Sequence, residues 1–225
     1  MSTPNWNAFE SSVALDNPAS RPLVPPRATP LASDLFTATD GAATDINGRE
    51  PDNGFGGASG LAWARNVAAS YAIANNTLVR GTDLTSARAT LPIANGDVEA
   101  GYLITAVPQS DGHSLFLDVR LNVAAGSSST RNAYRLQLTR INGSVRVQLQ
   151  RRAGGGVTVT ASYPVKIGDR VAIRVVGGTV LLLINNYDME TFIDSTPLSA
   201  GAHVGFESGA NAVFGVDEFY VEQIL

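Results

Sequence analysis

The chain has 225 residues, 44% of them hydrophobic and 16% charged, with 22 Gly, 11 Pro and no Cys. That length fits one large all-β domain or two small ones, and zero cysteines exclude a disulfide framework, a thiolate nucleophile, an iron–sulfur cluster and a thiolate-bound zinc. The formal charge of −4 comes with no basic tract, which argues against nucleic acid as a partner, and His113 and His203 are too few for a multi-histidine metal centre.

Residues 1–33 differ in composition from the rest of the chain, holding six of the eleven prolines. The stretch from Arg21 to Pro30 is expected to be extended, because proline fixes its own φ and pushes its predecessor out of the α region. Trp6, Phe9, Val13, Leu15, Leu23 and Val24 make this segment stickier than a solvated linker. It reads as a docking arm, the alternative being a disordered leader. Its first residues carry neither the basic region nor the apolar stretch of a secretory signal, so synthesis in a host cytoplasm without classical export is expected. The longest apolar run, Val180 to Ile184, is too short to span a bilayer, and no membrane insertion is expected.

From Asp34 to the last residue, 225, the pattern is that of one β-rich domain. Thr37 to Gly60 is rich in Gly, Asn and Asp and reads as a long irregular loop. Strands are expected at Ser70 to Ala74, Ser86 to Leu91 and Asp97 to Ile104. His113 to Leu121 alternates strictly, with Leu115, Leu117, Val119 and Leu121 on one face, the period of a half-buried strand. The same alternation marks Tyr134 to Leu138, Val145 to Gln150, Val157 to Thr160 and Val171 to Val176. Between these runs stand Asn142-Gly143, Gly154-Gly155-Gly156, Gly168-Asp169, Gly177-Gly178 and Asn185-Asn186, residues that tolerate positive φ at hairpin turns. Leu181 and Leu183 leave the Val180–Ile184 strand apolar on both faces, so either the arm or a neighbouring subunit is expected to cover it, which favours a homo-oligomer. Ala202 to Phe206 and Val213 to Val221 close the chain. Short strands at this spacing argue for an antiparallel sandwich, with Trp63, Tyr71, Tyr134 and Phe219 filling its core.

The order of these signals resembles the concanavalin A-like, or laminin-G-like, jelly roll of lectins and glucanases. The resemblance covers roughly residues 34 to 225. It rests on Asp34-Leu35-Phe36, the loop Gly48-Arg49-Glu50-Pro51-Asp52 leading to Trp63, Tyr71-Ala72-Ile73 before Asn75-Asn76, and Arg140-Ile141-Asn142-Gly143. Further pieces are Gly168-Asp169 before Val171 to Val175, Gly201 through Phe206, and Phe214 to Phe219. It implies an all-β, two-sheet antiparallel jelly-roll sandwich behind an extended N-terminal arm. The combination of arm and sandwich is similar to minor tail or decoration proteins of tailed bacteriophages. That likeness implies a non-enzymatic virion component, joined to other virion proteins through residues 1–33 and displaying a domain for host-surface glycan. The alternatives are a free-standing carbohydrate-binding module and a glycoside-acting enzyme.

Glycoside hydrolysis needs two carboxylates about 5 to 10 Å apart. No Glu-x-Asp-x-x-Glu strand is present, Asp118 stands alone on its strand face, and the neighbours Asp217 and Glu218 point to opposite faces. Ser114 and His113 likewise face apart, and no Gly-x-Ser-x-Gly elbow occurs, so no catalytic residue is assigned. The two histidines are expected to be hydrogen-bonded strand or turn residues. Calcium is the one cofactor the resemblance allows, through Asp217 and carbonyls of an opening loop; the Asp- and Asn-rich stretch from Asp40 to Gly48 fails the EF-hand pattern. If the aliphatic positions fill the core, Phe116, Asp118, Arg120, Arg135, Gln137, Arg146, Gln148 and Gln150 share the opposite, solvent-facing surface. Planar hydrogen-bonding groups beside an aromatic plate suit saccharides, and guanidinium forks suit acidic ones. The bland alternative is an ordinary solvated sheet in which pairs such as Asp118 with Arg135 stabilise the strands.

Overall fold

The structure is a computed structural model and describes residues 30–37, 44–52, 61–68, 70–81, 86–93, 97–125, 130–199 and 201–224. Residues 1–29 of the expected arm and most of the expected loop between Thr37 and Gly60 lie outside the described residues. The strands come in chain order as β1 (Pro30–Asp34), β2 (Thr44–Asp45), β3 (Ala64–Arg65), β4 (Tyr71–Ala74), β5 (Thr77–Arg80) and β6 (Ala87–Pro92). Next are β7 (Val98–Ala106), β8 (Ser114–Leu121), β9 (Ala133–Ile141), β10 (Ser144–Ala153) and β11 (Gly156–Pro164). The last are β12 (Arg170–Val176), β13 (Thr179–Ile184), β14 (Tyr187–Ile193), β15 (His203–Ser208) and β16 (Gly215–Gln223).

All pairings are antiparallel, and they make two sheets. A nine-stranded sheet runs β14-β13-β12-β7-β16-β5-β4-β2, with β1 also paired to β16, and a seven-stranded sheet runs β11-β10-β9-β8-β15-β6-β3. The two-sheet sandwich read from alternation is the observed architecture. β1 opens at Pro30, inside the segment set apart by composition, and its Ala32 is fully buried, so the sandwich takes in residues 30–33.

The hairpins form where the sequence supplies residues that accept left-handed backbone. Asn142 and Gly143 (φ 49° and 78°) join β9 to β10, and Asn185 and Asn186 (φ 53° and 67°) join β13 to β14. Both positive angles are what a two-residue turn needs to match the twist of its strands. The apolar faces of the two sheets then meet in one core. At its centre Trp63 lies 5.9 Å from Phe206, 5.3 Å from Phe219 and 6.5 Å from Phe36, centroid to centroid. Its indole Nε1 donates to Asp34 Oδ2 at 2.9 Å, satisfying the one polar atom such burial would orphan.

Burial pushes the Asp34 carboxyl up to about 6, against the pull of Arg49 and of the Trp63 and Phe36 hydrogen bonds. Trp63, Tyr71, Tyr134 and Phe219 are all core residues, as their sequence context implies. Leu183 is 3% exposed in a separate cluster with Ala172 and Tyr220, against which Leu181 packs.

Candidate functional site

The register of the seven-stranded sheet lines up polar side chains in rows that cross the strands. One row runs Arg88, Glu207, Phe116, Gln137, Gln148, Ser162, on β6, β15, β8, β9, β10 and β11. The neighbouring row runs Thr90, Gly205, Asp118, Arg135, Gln150, Val159 on the same strands. Leu115, Leu117, Leu136, Leu138, Val147 and Leu149, which alternate with these positions, are buried in the core. Period-two geometry, with the register shift between Leu149 and Gln150 taken up by an extra residue on β11, therefore puts both rows on the face away from the core.

That face is not the solvated surface expected from alternation. Asp118 is 1% exposed, Arg135 3% and Gln150 4%. They are covered because they cover each other. Arg135 grips Asp118 bidentately through Nε and Nη2, both at 2.7 Å, lies with its Cζ 4.4 Å from the Phe116 ring centroid, and places Nη2 3.3 Å from Glu207 Oε2. Buried charges persist only when paired and hydrogen-bonded, and the direct cross-strand opposition of Asp118 and Arg135 read from the sequence provides that. Burial pushes the Asp118 carboxyl above the ordinary carboxylate range, with Arg135 opposing. Arg135, pulled down by its own burial, is held above the ordinary guanidinium value by Asp118 and Glu207.

Amides and hydroxyls continue the network. Gln137 donates to Ser114 Oγ at 2.6 Å, Gln150 donates to Gln137 and, at 3.2 Å, to Gln148 Oε1, and Ser114 Oγ donates to Thr139 Oγ1 at 3.1 Å. Arg146 donates to Ser162 Oγ and carbonyl oxygen, each at 2.8 Å, which fixes its guanidinium against β11. Phe116, Gln137, Arg146 and Gln148 are half-buried and accessible from outside.

Arg120 is a correction. Gly205 pairs with Asp118 but His203 with Leu121, so β8 carries one extra residue there, and Arg120 takes φ 49°. A bulge of this kind flips the following side chain to the other side. Arg120 accordingly reaches the nine-stranded sheet, donating to Asp97 Oδ1 at 2.5 Å and to the Gly177 carbonyl at 2.8 Å. It ties the two sheets together and lies off the polar face.

The sequence reading also missed members of the face. Arg152 continues the alternation of Arg146 and Gln148, and Glu207 continues that of β15, so extending each run by a few residues finds them. Glu207 accepts from Arg131 and Arg135 and has Arg152 Nη1 3.6 Å away. Arg131, Glu207, Arg88, Ala87, Ser86 and Asn66 line an open pocket of about 100 Å³ at the β6 end of the face.

Asp217 accepts the Glu218 amide on its Oδ1 at 2.7 Å, and burial raises its carboxyl with Arg170 opposing. A calcium ion takes six to eight oxygens, and among the described residues no group of three or more His, Cys, Asp or Glu is arranged to hold a metal. One carboxylate supplies at most two of those oxygens, and residues 38–43 and 53–60, within the loop expected to lend its carbonyls, lie outside the described residues. His203, expected to be hydrogen-bonded, bonds the Leu121 backbone, which opposes the lowering that burial causes, and the Nδ1 atoms of His113 and His203 are buried without a hydrogen-bond partner among the described residues.

No protein-family model matches the chain, and no curated protein matches it in sequence. Solved structures do match. A protein of unknown function with a galectin-like fold from Bacillus subtilis superposes with a TM-score of 0.58 at 12% identity, over 88% of this chain and 97% of that one. The carbohydrate-binding module CBM66 from Bacillus subtilis gives 0.54 at 15% identity, over 72% and 95%. A prokaryotic β-1,3-1,4-glucanase (lichenase) derived from a mouse hindgut metagenome gives 0.55 at 9% identity, over 75% and 95%. The fold is thus the jelly roll shared by galectin-like and concanavalin A-like proteins. At these identities the likeness defines architecture and leaves activity to the residues of the site.

Proposed function

We propose that the chain is a non-enzymatic saccharide-recognition protein whose binding surface is the polar face of the seven-stranded sheet. The observation that carries this is the pair of cross-strand rows: a half-buried aromatic, Phe116, packed on Arg135 of the buried Asp118–Arg135 pair, beside the amides of Gln137 and Gln148, which hydrogen bonds with Ser114 and Gln150 hold in place. Sugars need flat donor and acceptor groups in fixed directions with an apolar plate beside them, and pre-fixed side chains lower the entropy lost on binding. The galectin-like and carbohydrate-binding structures of the same fold support the reading.

The lichenase of this fold raises the alternative of hydrolysis, which the carboxylates here do not favour. Asp118 and Glu207 are both engaged by Arg135, and Asp118 is sealed from solvent. A general acid or nucleophile must reach the scissile bond. A glycan array read with the wild-type chain and with Phe116→Ala and Gln137→Ala tests the proposal. Binding of a defined glycan, weakened about tenfold or more by either variant at unchanged circular dichroism, supports it. Release of new reducing ends from a bound polysaccharide overturns the non-enzymatic part.

A second reading places this module on a virion, as a tail, fibre or decoration component attached through the residues ahead of β1. The proline-rich, apolar-studded sequence of residues 1–29 favours it. Removing residues 1–29 is then expected to abolish incorporation into particles while the sandwich keeps its melting transition. Glycan affinity unchanged with no particle partner at all favours the free-standing module.

A further inference from the structure

At the β6 end of the same face, among the described residues, three guanidinium groups, of Arg131, Arg135 and Arg152, share two carboxylates, of Asp118 and Glu207. Asp118 is taken up by its bidentate pair with Arg135. Glu207 is shared by Arg131, by Arg135 at 3.3 Å and by Arg152 at 3.6 Å, and Arg88 lies directly across the strand pair from it. Arg152 Nε is buried without a hydrogen-bond acceptor among the described residues.

The cations crowd one another as a result. Arg131 is held below the ordinary guanidinium value by burial and then by Arg88 and Arg135, and Arg152 by burial and then by Arg135 and Arg131. This crowding borders an opening. Arg88, Arg131 and Glu207 line the pocket of about 100 Å³, with Asn66 fixed at its edge by accepting the Arg88 amide at 2.6 Å. A single water needs only about 10–15 Å³, so the opening has room for a carboxylate or a sulfate. An anion there would meet the half-buried fork of Arg131 and relieve the repulsion among Arg131, Arg135 and Arg152.

We propose that this pocket receives the anionic group, carboxylate or sulfate, of an acidic saccharide whose remaining ring lies toward Phe116 and Gln137. The proposal rests on the saccharide reading above and adds the ligand's charge and its point of attachment. Arg88, Arg131, Arg152 and Glu207 lie beyond the eight residues assigned to the face in the sequence analysis.

Calorimetric titration of the full chain with oligogalacturonate (carboxylate), a chondroitin sulfate oligosaccharide (sulfate) and neutral mannan oligosaccharides tests it. At least one acidic ligand is expected to bind about tenfold more tightly than the neutral ones and to weaken as salt rises. Arg131→Gln is expected to lose about tenfold of that affinity, Arg131→Lys to lose less, and Gln137→Ala to weaken binding through the ring instead. Whichever acidic ligand responds tells carboxylate from sulfate. Neutral ligands binding as tightly as acidic ones, or Arg131→Gln leaving acidic binding unchanged, overturns the anion pocket while the saccharide reading stands. Polyglutamate binding as tightly as the glycans also overturns it, and binding of no glycan of either kind removes both proposals. Urea denaturation of Arg131→Gln checks that its fold persists, since Glu207 keeps Arg135 and Arg152 as partners.

Discussion

Replacing Arg135 with methionine separates a built charge network from an ordinary sheet surface. Arg135 is 3% and Asp118 1% exposed, joined by two hydrogen bonds of 2.7 Å. Removing the guanidinium leaves a carboxylate sealed from water with no hydrogen-bonded counter-charge, Arg152 acting on it only from a distance, which costs about 3–5 kcal/mol of stability at neutral pH. Loss of the Arg135 contact with Phe116 lies within that range. The sign with pH comes from burial. In Arg135→Met, the Asp118 carboxyl sits further above its unfolded value, so the folded state binds the proton more tightly than the unfolded state. The deficit should therefore shrink as pH falls from 7 to 5, by at most about 1.4 kcal/mol per pH unit.

Adding Asp118→Leu to Arg135→Met removes both charges and is expected to restore most of the stability, because an apolar pair of similar volume is often as stable as a buried ion pair. Equilibrium urea denaturation followed by circular dichroism at pH 5 and 7 reads all three quantities. A loss under about 1 kcal/mol, the range of exposed pairs, that is flat with pH would refute the reasoning.

Other contacts give three further expected outcomes. Arg120→Ala is expected to lower stability by about 2 kcal/mol, through its bonds to Asp97 and Gly177, without changing affinity for any glycan, because its side chain lies off the binding face; urea curves and calorimetry on the same sample check both halves. Gly205→Ala would set a Cβ 2.2 Å from the Ala89 carbonyl oxygen and 2.8 Å from Thr90 Cα, so a loss of about 3 kcal/mol or more, read as a lowered melting temperature, is expected. Asp34, raised to about 6, makes the fold favour its protonated form between the unfolded value of 3.8 and that pH, so its contribution falls as pH rises through this window. The stability of the wild type relative to Asp34→Asn should consequently be about 1 kcal/mol greater at pH 5 than at pH 7, measured by urea denaturation.

How far the sequence speaks depends on which interactions are local. Strand positions and the core faces of β8, β9 and β10 are legible because alternation is a property of neighbouring residues, and the Asn-Gly and Asn-Asn turns announce themselves through their tolerance of positive φ. The opposition of Asp118 and Arg135 needs only one hairpin register. Alternation states which side a residue faces and is silent on what covers it, which is why Asp118, Arg135 and Gln150 are expected in solvent and are found buried. The bulge that diverts Arg120 has no local sequence mark. Strand β14 (Tyr187–Ile193) escapes a reading by pattern because an edge strand need not alternate cleanly. The Arg88–Glu207–Arg131 cluster depends on β15 entering between β8 and β6, a pairing between segments more than 80 residues apart that no short pattern encodes.

The most direct measurement is a nuclear magnetic resonance titration of the isotope-labelled chain with the tightest glycan from the array, following backbone amides and arginine Nε–H groups. Shifts concentrated on β6, β8, β9, β10 and β15, with Arg131 and the Phe116 neighbourhood moving together, are the predicted result. Shifts confined to the nine-stranded sheet, or to the loops at either end, would contradict the placement of recognition on the polar face.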